Sequence, residues 1–160
     1  MVELYQVRAA DEPISQGDIL KSVLCIDATT GADGVIRSAM VISYGCEMDK
    51  PVAADCYVAE VRLLRNLPAN LHAPIRDGKV YAVIYLPDTS SLAGDSYVDL
   101  RCIYRVPFAK ICNPELRMEP NGQKVRVLSD SANRVASLSE NGLAVLHGQL
   151  ILFFTRKKPT

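Results

Sequence analysis

The 160-residue chain contains no tryptophan and only three phenylalanines, so few large aromatic side chains are available for stacking on nucleic-acid bases. Its seven tyrosines can stack on bases if they face outward from a sheet. If they are instead half-buried strand residues, only their hydroxyl groups lie at the rim of the sheet. The chain also lacks net charge, because 18 Lys and Arg residues balance 18 Asp and Glu residues. This balance excludes a global basic field, so any nucleic-acid binding requires a local patch.

Disulfide and metal-binding patterns are missing as well. The chain has five cysteines, an odd number, at irregular spacings without a C-x-x-C pair, and it has only two histidines. Such usage argues against a disulfide framework and against a zinc finger, and it is typical of a reducing compartment. We therefore expect no metal ion and no other cofactor.

Segments that direct a protein to a membrane are also missing. No apolar run approaches the roughly 18 residues of a transmembrane helix, and the N-terminal residues lack the charged and apolar regions of a signal peptide. These absences predict a cytoplasmic protein without a membrane partner.

Short apolar segments separated by turn residues dominate what is present. Residues 27–34 consist of turn-forming types, which predicts a hairpin loop, and the apolar run 39–42 predicts burial on both faces of the strand that follows. Helical segments do not separate the strands, so a doubly wound parallel sheet is not expected. We predict a mainly β fold, a strongly bent antiparallel sheet or small barrel with one terminal helix. The predicted strands cover residues 19–26, 35–44, 56–64, 79–86 and 96–106.

A C-terminal amphipathic helix is predicted for residues 138–155. Leucine and phenylalanine recur there at helical spacing and form one apolar stripe that can pack on the sheet. Ser137 and Glu140 match a capping box at its start. Gly142 and Gly148 have no side chain, which would let the helix lie close to a strand or to a second chain.

We predict a single domain over residues 1–160, because no repeat, linker or low-complexity segment divides the chain. Residues 1–13 are expected to form a leader that runs onto the fold. Residues 112–124 contain Pro, Gly and Asn, and we expect this insertion to project as a mobile loop or to carry a short hairpin. The basic residues at 156–158 suit the C-terminal dipole of the predicted helix.

Two regions resemble one known family. The segment 16–20 (Gln-Gly-Asp-Ile-Leu) opens a strand and is followed by a polar loop, by Arg37 and by the strand residues 39–43; this order resembles the opening of the MazF/PemK toxins, the small-barrel growth inhibitors of toxin–antitoxin modules. The segment 99–111, followed by 136–139 and an amphipathic helix, is similar to that family's last strand and C-terminal helix.

The resemblance implies an SH3-like barrel that forms a homodimer, pairs with an antitoxin-like protein and cleaves single-stranded RNA without a metal ion. It makes Arg37 the match for the arginine that stabilises phosphate charge. The chain departs from the family pattern at Ser38, where proline is typical, and at Leu63 and Leu64, where a Thr-Ser pair is typical. The second catalytic position is therefore not filled, and attack by a 2′-hydroxyl still requires a proton acceptor.

Reactive side chains are concentrated where the second predicted strand ends. Cys46, Glu47, Asp49 and Lys50 follow an apolar run and bring together a thiol, two carboxylates and an ammonium group. In one interpretation Glu47 or Asp49 is the missing base, and Lys50 or Arg37 contacts the phosphate.

Two other interpretations of the same residues stay open. Cys46 can be a nucleophile, because Lys50 would stabilise its thiolate, but folding would have to bring His72 or His147 near it as the base. Alternatively, Cys46 is a small buried residue and the charged side chains are solvated. The remaining arginines are scattered among acidic residues, and we interpret them as parts of solvated faces: Arg62, Arg65, Arg76, Arg101, Arg105, Arg117 and Arg126.

These observations lead to two functional predictions. The first is a toxin-like small barrel that acts on RNA, as a metal-independent endoribonuclease or a growth-inhibiting relative. Its predicted catalytic residues are Arg37, Cys46, Glu47, Asp49 and Lys50. The second is a non-catalytic module that keeps the barrel and binds another protein or nucleic acid.

Overall fold

The structure is a computed structural model that describes residues 3–27, 30–32, 34–50, 52–89, 92–129 and 132–155, without the side chains at positions 35, 36, 46 and 47. The predicted basic cluster at 156–158 and the first two residues of the predicted leader lie outside the described residues. In the described ranges the strands β1 to β9 span Tyr5–Gln6, Asp18–Asp27, Val35–Val41, Asp55–Leu63, Val83–Leu86, Ser96–Pro107, Arg117–Met118, Lys124–Val125 and Asn133–Leu138. The helices α1 to α4 span Gly45–Met48, His72–Arg76, Phe108–Ile111 and Glu140–Thr155, with 3₁₀ turns at Leu64–Asn66 and Ala69–Leu71.

Seven strands form one antiparallel sheet in the order β1-β9-β2-β3-β4-β6-β5. The end of β2 also pairs with β6, where Ile26 lies opposite Arg105, so β2, β3, β4 and β6 close into a partial ring. A β-bulge between Leu20 and Val23, where Ser22 has a φ of +59°, bends β2. The start of β2 can therefore pair with β9 in the sheet while its end pairs with β6 in the ring. The mainly β, bent antiparallel fold with a C-terminal helix is confirmed.

Two apolar layers lie on opposite faces of the ring strands. Alternation along β3 sends Ala39 and Val41 into the layer inside the ring, and sends Met40 into the layer between the sheet and α4. Leu146 and Leu150 of α4 complete the second layer. The predicted burial of 39–42 on both faces is therefore confirmed.

The start of α4 differs from the predicted capping box. The helix begins at Glu140, and the Ser139 hydroxyl accepts a hydrogen bond from the Gly142 backbone N–H, so Ser139 is the N-cap. Ser137 belongs to β9 instead, and its hydroxyl donates to Asp18. The capping box at Ser137 is wrong because β9 pairs with β1 and β2 up to Leu138, and the chain cannot begin its helix before that strand ends.

The strand boundaries differ from the predicted ones by more than one residue in two places. The second predicted strand, 35–44, ends at Val41 because residues 42–44 lead into α1. The predicted strand 79–86 is reduced to Val83–Leu86, since Ala82 just before it has a φ of +62°, which is incompatible with extended backbone. Strand β9 was not predicted, because its residues resemble the approach to a helix.

The insertion at 112–124 carries a short hairpin, one of the two predicted alternatives. Strand β7 pairs with β8, with Arg117 opposite Val125, and Gly122 turns the chain between them with a φ of +82°. In the part of the chain that the structure describes, no helix is both long enough and apolar enough to cross a membrane.

Candidate functional site

A carboxylate lies between two guanidinium groups on the strands β3 and β4. The Nη1 atom of Arg37 donates to Oε1 of Glu60 at 2.5 Å, and the Nε atom of Arg62 donates to Oε2 of the same carboxylate at 2.7 Å. The strand register explains the arrangement, because Ala39 of β3 lies opposite Glu60 and Arg37 is its diagonal neighbour. We call these three residues the Arg37–Glu60–Arg62 cluster.

The cluster is partly shielded from solvent. The side chains of Arg37 and Glu60 are 25% and 12% exposed, and the Arg37 guanidinium carbon lies 4.9 Å from the ring centre of Tyr104 on β6. The hydrogen bond to Glu60 raises the pKa of Arg62, and Tyr97 adds a weaker contribution in the same direction. Arg62 therefore stays charged at any physiological pH.

A pocket of about 630 Å³ opens beside the cluster. This volume lies within the roughly 300–1,000 Å³ that is usual for small-molecule sites. Cationic, hydroxyl and amide side chains lie at its walls together with aliphatic ones. The polar residues that line it are Lys21, Ser38, Glu60, Arg62, Asn66, Ser96 and Tyr97.

The predicted site residues 46–50 lie on a different part of the molecule. Cys46 and Glu47 belong to α1, which follows β3, but their side chains lie outside the described part of the structure. The Asp49 carboxylate accepts a hydrogen bond from the Gln123 side chain at 3.3 Å. Burial raises the pKa of Asp49, although hydrogen bonds from the Arg126 backbone and from Gln123 act in the opposite direction.

Arg126 holds the segment that follows α1. Its Nε atom donates to the Met48 carbonyl at 2.7 Å, and its Nη2 atom donates to the carbonyls of Lys50 and Ala53 at 3.2 and 2.7 Å. Arg126 is only 8% exposed, so its interpretation as part of a solvated face is wrong. Its position between Val125 and Val127 gave no signal of this burial, because alternation places a residue between two buried valines on the solvent side, whereas here all three are buried.

No described hydrogen bond or ion pair joins Arg37 to Asp49, so no such contact links Arg37 to the 46–50 segment. Arg37 lies four residues before the end of β3, which corresponds to about 13 Å of strand. Sequence reasoning therefore identified Arg37 but missed Glu60, its partner. Glu60 lies in an alternating strand segment, where a single acidic residue gives no signal of its own.

The two histidines have different surroundings. His72 lies in α2, where its Nε2 atom is 2.9 Å from the Leu67 carbonyl oxygen. His147 lies 2.7 Å from the Gln16 side-chain oxygen, and Gln16 in turn donates to the Ile42 carbonyl, so Nε2 of His147 carries the hydrogen. The His147 ring also packs 5.9 Å from that of Tyr44, the residue that precedes α1. Folding thus brings His147, and not His72, to the start of α1.

Metal ligation is not supported by any group of described side chains, because none of them forms a set of three or more His, Cys, Asp or Glu residues suited to an ion. What the cluster offers instead is a fixed carboxylate with two permanent cations beside an open pocket. No family model matches the chain, and no curated protein sequence matches it either.

Proposed function

We propose that the protein is a metal-independent endoribonuclease, a toxin-like small barrel of the kind that the MazF/PemK resemblance implies, and that its site is the Arg37–Glu60–Arg62 cluster. One observation carries the proposal: the Glu60 carboxylate is hydrogen-bonded to two arginines at the wall of a pocket large enough for part of a nucleotide. Glu60 supplies the proton acceptor that the family pattern does not provide in this chain.

The chemistry follows from the charges. Glu60 takes the proton of a ribose 2′-hydroxyl, and the 2′ oxygen attacks the adjacent phosphorus. Arg37 and Arg62 stabilise the negative charge that accumulates on the phosphoryl oxygens, for which the guanidinium fork is well suited. The 5′ oxygen leaves with a proton from a solvent water, and the hydroxide so formed takes the proton from Glu60, so the products are a 2′,3′-cyclic phosphate and a free 5′-hydroxyl with the carboxylate restored.

The test is cleavage of a single-stranded RNA by the purified protein in the presence of a metal chelator. Glu60→Gln keeps the shape of the side chain but removes the base, so we expect a loss of rate of about 100-fold or more. Arg37→Ala removes charge stabilisation, and we expect a loss of similar size. Arg101→Ala is the matched control, because Arg101 forms an exposed ion pair with Asp99 and does not line the pocket.

The residues of the 46–50 segment remain the competing assignment within this proposal. If Glu47→Gln abolished cleavage and Glu60→Gln did not, the base would be Glu47. Loss of activity in Cys46→Ser alone would favour a thiol nucleophile, with His147 as its base. The Glu60 assignment also requires cyclic-phosphate ends and no cleavage of a substrate that lacks the 2′-hydroxyl.

A non-catalytic binding module is the second candidate function. It is favoured by the surroundings of Arg37. Glu60 already balances the positive charge of Arg37, and the Tyr104 ring covers its guanidinium group. In that case the wild-type protein would cause no growth arrest and no RNA cleavage at any expression level, but would still bind RNA or a protein.

The proposal includes the partners and the compartment that the resemblance implies: single-stranded RNA, an antitoxin-like protein, a second copy of the chain and the cytoplasm. Four described cysteines support a reducing compartment, because all of them are free thiols: Cys25, Cys56, Cys102 and Cys112. Burial raises the pKa of the Cys25 and Cys112 thiols to about 11, so these two stay protonated and unreactive.

A further inference from the structure

Arg126 is a buried cation for which the described side chains provide no ion pair. The residue is 8% exposed, and all of its described side-chain hydrogen bonds run to backbone carbonyls, those of Met48, Lys50 and Ala53. Among the side chains that the structure describes, no carboxylate lies within ion-pair distance of its guanidinium group. A guanidinium taken out of water without a counterion is costly, so this arrangement leaves a strong preference for an anion.

The neighbours of Arg126 do not remove that preference. The Phe108 ring lies 4.1 Å from the guanidinium carbon and attracts it, but a ring face carries no net charge. Asp49 is near enough for the charge of Arg126 to affect its pKa, but its carboxylate accepts hydrogen bonds from the Gln123 amide and the Arg126 backbone N–H and forms no described ion pair with the guanidinium group. The carbonyl bonds occupy Nε and Nη2, and the Nη1 edge of Arg126 makes no described hydrogen bond.

Arg126 also lines a pocket of about 560 Å³. Its walls are mostly apolar and come from three segments: Ala53 follows α1, Phe108 and Ala109 belong to α3, and Pro114 follows α3. Asn113 adds one polar side chain to the same wall. A buried cation, a single amide and apolar walls match the chemistry of a small carboxylic acid better than that of a phosphate, which needs several donors around it.

We propose that this pocket binds a small monocarboxylate with an apolar body. The carboxylate accepts hydrogen bonds from the Nη1 atom of Arg126 and from the Asn113 amide, and the apolar body lies against Ala53, Ala109 and Pro114. The site is separate from the Arg37–Glu60–Arg62 cluster and does not depend on the RNA-cleaving function. A bound anion neutralises the cation that binds the carbonyls of Met48, Lys50 and Ala53, so it stabilises the folded protein.

Calorimetry and thermal unfolding of the full chain test this site with matched ligand pairs: butyrate against butyramide, and benzoate against benzamide. Each amide has the shape of its acid but no charge. We expect saturable binding of the acids in the millimolar range or tighter, at least about ten-fold stronger than binding of the amides, together with a rise in melting temperature. Equal affinity of acid and amide, or no saturable binding of either acid at millimolar concentrations, would overturn the proposal.

Two variants locate the binding. Arg126→Lys keeps a charge but loses the planar fork. Because it also loses hydrogen bonds to the carbonyls of Met48, Lys50 and Ala53 and can unfold the chain there, Ala109→Trp is the decisive variant. Ala109 is exposed on α3 and lines the pocket, so an indole ring there fills the pocket while Arg126 is untouched. Val145→Trp, on the exposed side of α4, is the control. Acid binding that persists in a folded Ala109→Trp protein would contradict the assigned site.

Discussion

Asp18 illustrates how much of this protein depends on single buried charges. Its side chain is 1% exposed and forms ion pairs of 3.0 Å with both Arg8 and Arg134. The Ser15 backbone N–H and the Ser137 hydroxyl also donate to its carboxylate. In the sequence, the aspartate is part of the turn that opens the first long strand; in the structure it ties the leader and β9 to that strand.

We expect Asp18→Asn to lower the free energy of unfolding by about 3–5 kcal/mol, because it leaves the buried Arg134 guanidinium without a carboxylate. Chemical denaturation measures the change. Asp77→Asn is the control: Asp77 pairs with Lys79 at 3.8 Å, both side chains are more than half exposed, and the expected loss is below about 1 kcal/mol. Similar losses in the two variants would show that the Asp18 pairs do not stabilise the fold.

Single residues also define the candidate site. Arg37 was identified from the sequence, but its interpretation changes once Glu60 is found at hydrogen-bond distance, since the arginine then belongs to a cluster that contains the proposed base. No local sequence pattern predicts that Glu60 belongs to the site, because a carboxylate in an alternating strand is usually solvated. Arg126 was misread for a related reason: its side chain finds its carbonyl acceptors on a segment about 75 positions earlier in the chain.

At the scale of the element, α4 shows which glycine has a packing role. A Cβ atom at Gly142 would lie 2.5 Å from the Leu4 carbonyl oxygen and 2.9 Å from the Leu138 Cβ, so the helix start touches the backbone of the leader. A Cβ atom at Gly148 would meet nothing within 4 Å. The predicted close approach to the sheet therefore belongs to Gly142 alone.

These two glycines form a matched pair for mutation. We expect Gly142→Ala to destabilise the protein by about 1–3 kcal/mol through overpacking against backbone that cannot move freely. Gly148→Ala should stabilise it by up to about 1 kcal/mol, since alanine is the better helix former and the position is open. Thermal or chemical denaturation of both variants measures the difference. A stable Gly142→Ala protein would mean that the leader is not held against α4.

At the scale of the whole molecule, the partial ring leaves an apolar surface between α4 and the strands β4 and β6. A groove of about 570 Å³ lies there, and several of its residues are strongly exposed for their type. Tyr44 and Tyr57 are about half exposed, at 52% and 48%, and Ile151 and Phe154 are 60% and 72% exposed. An apolar surface of this kind supports the proposed homodimer, because association would remove it from water.

Light scattering at high micromolar concentration tests the homodimer. We expect the mass of two chains for the wild type and of one chain for Phe154→Glu, because a carboxylate buried at the interface is unfavourable. Met118→Glu is the control, since Met118 is 65% exposed on β7 and does not line the groove. A monomeric wild type would remove the homodimer from the proposal, and a dimeric Phe154→Glu protein would move the interface elsewhere.

The sequence by itself determined most of the long elements of this protein. Turn residues, alternation and helical spacing are local patterns, and they suffice to predict a mainly β fold, most of its long strands, the C-terminal helix and the burial of 39–42. Strand β9 and the N-cap at Ser139 were not predicted. The start of the helix depends on the residue at which the preceding strand stops pairing.

Only the tertiary structure decided the partners. Glu60, Met48 and Asp18 meet Arg37, Arg126 and Ser137 across 23, 78 and 119 positions of chain. Such pairs are selected by strand register and by the closure of the ring, which bring distant residues to hydrogen-bond distance. The energy of a buried charge depends on those distant neighbours as well as on residues close by in sequence, as Arg62 is to Glu60.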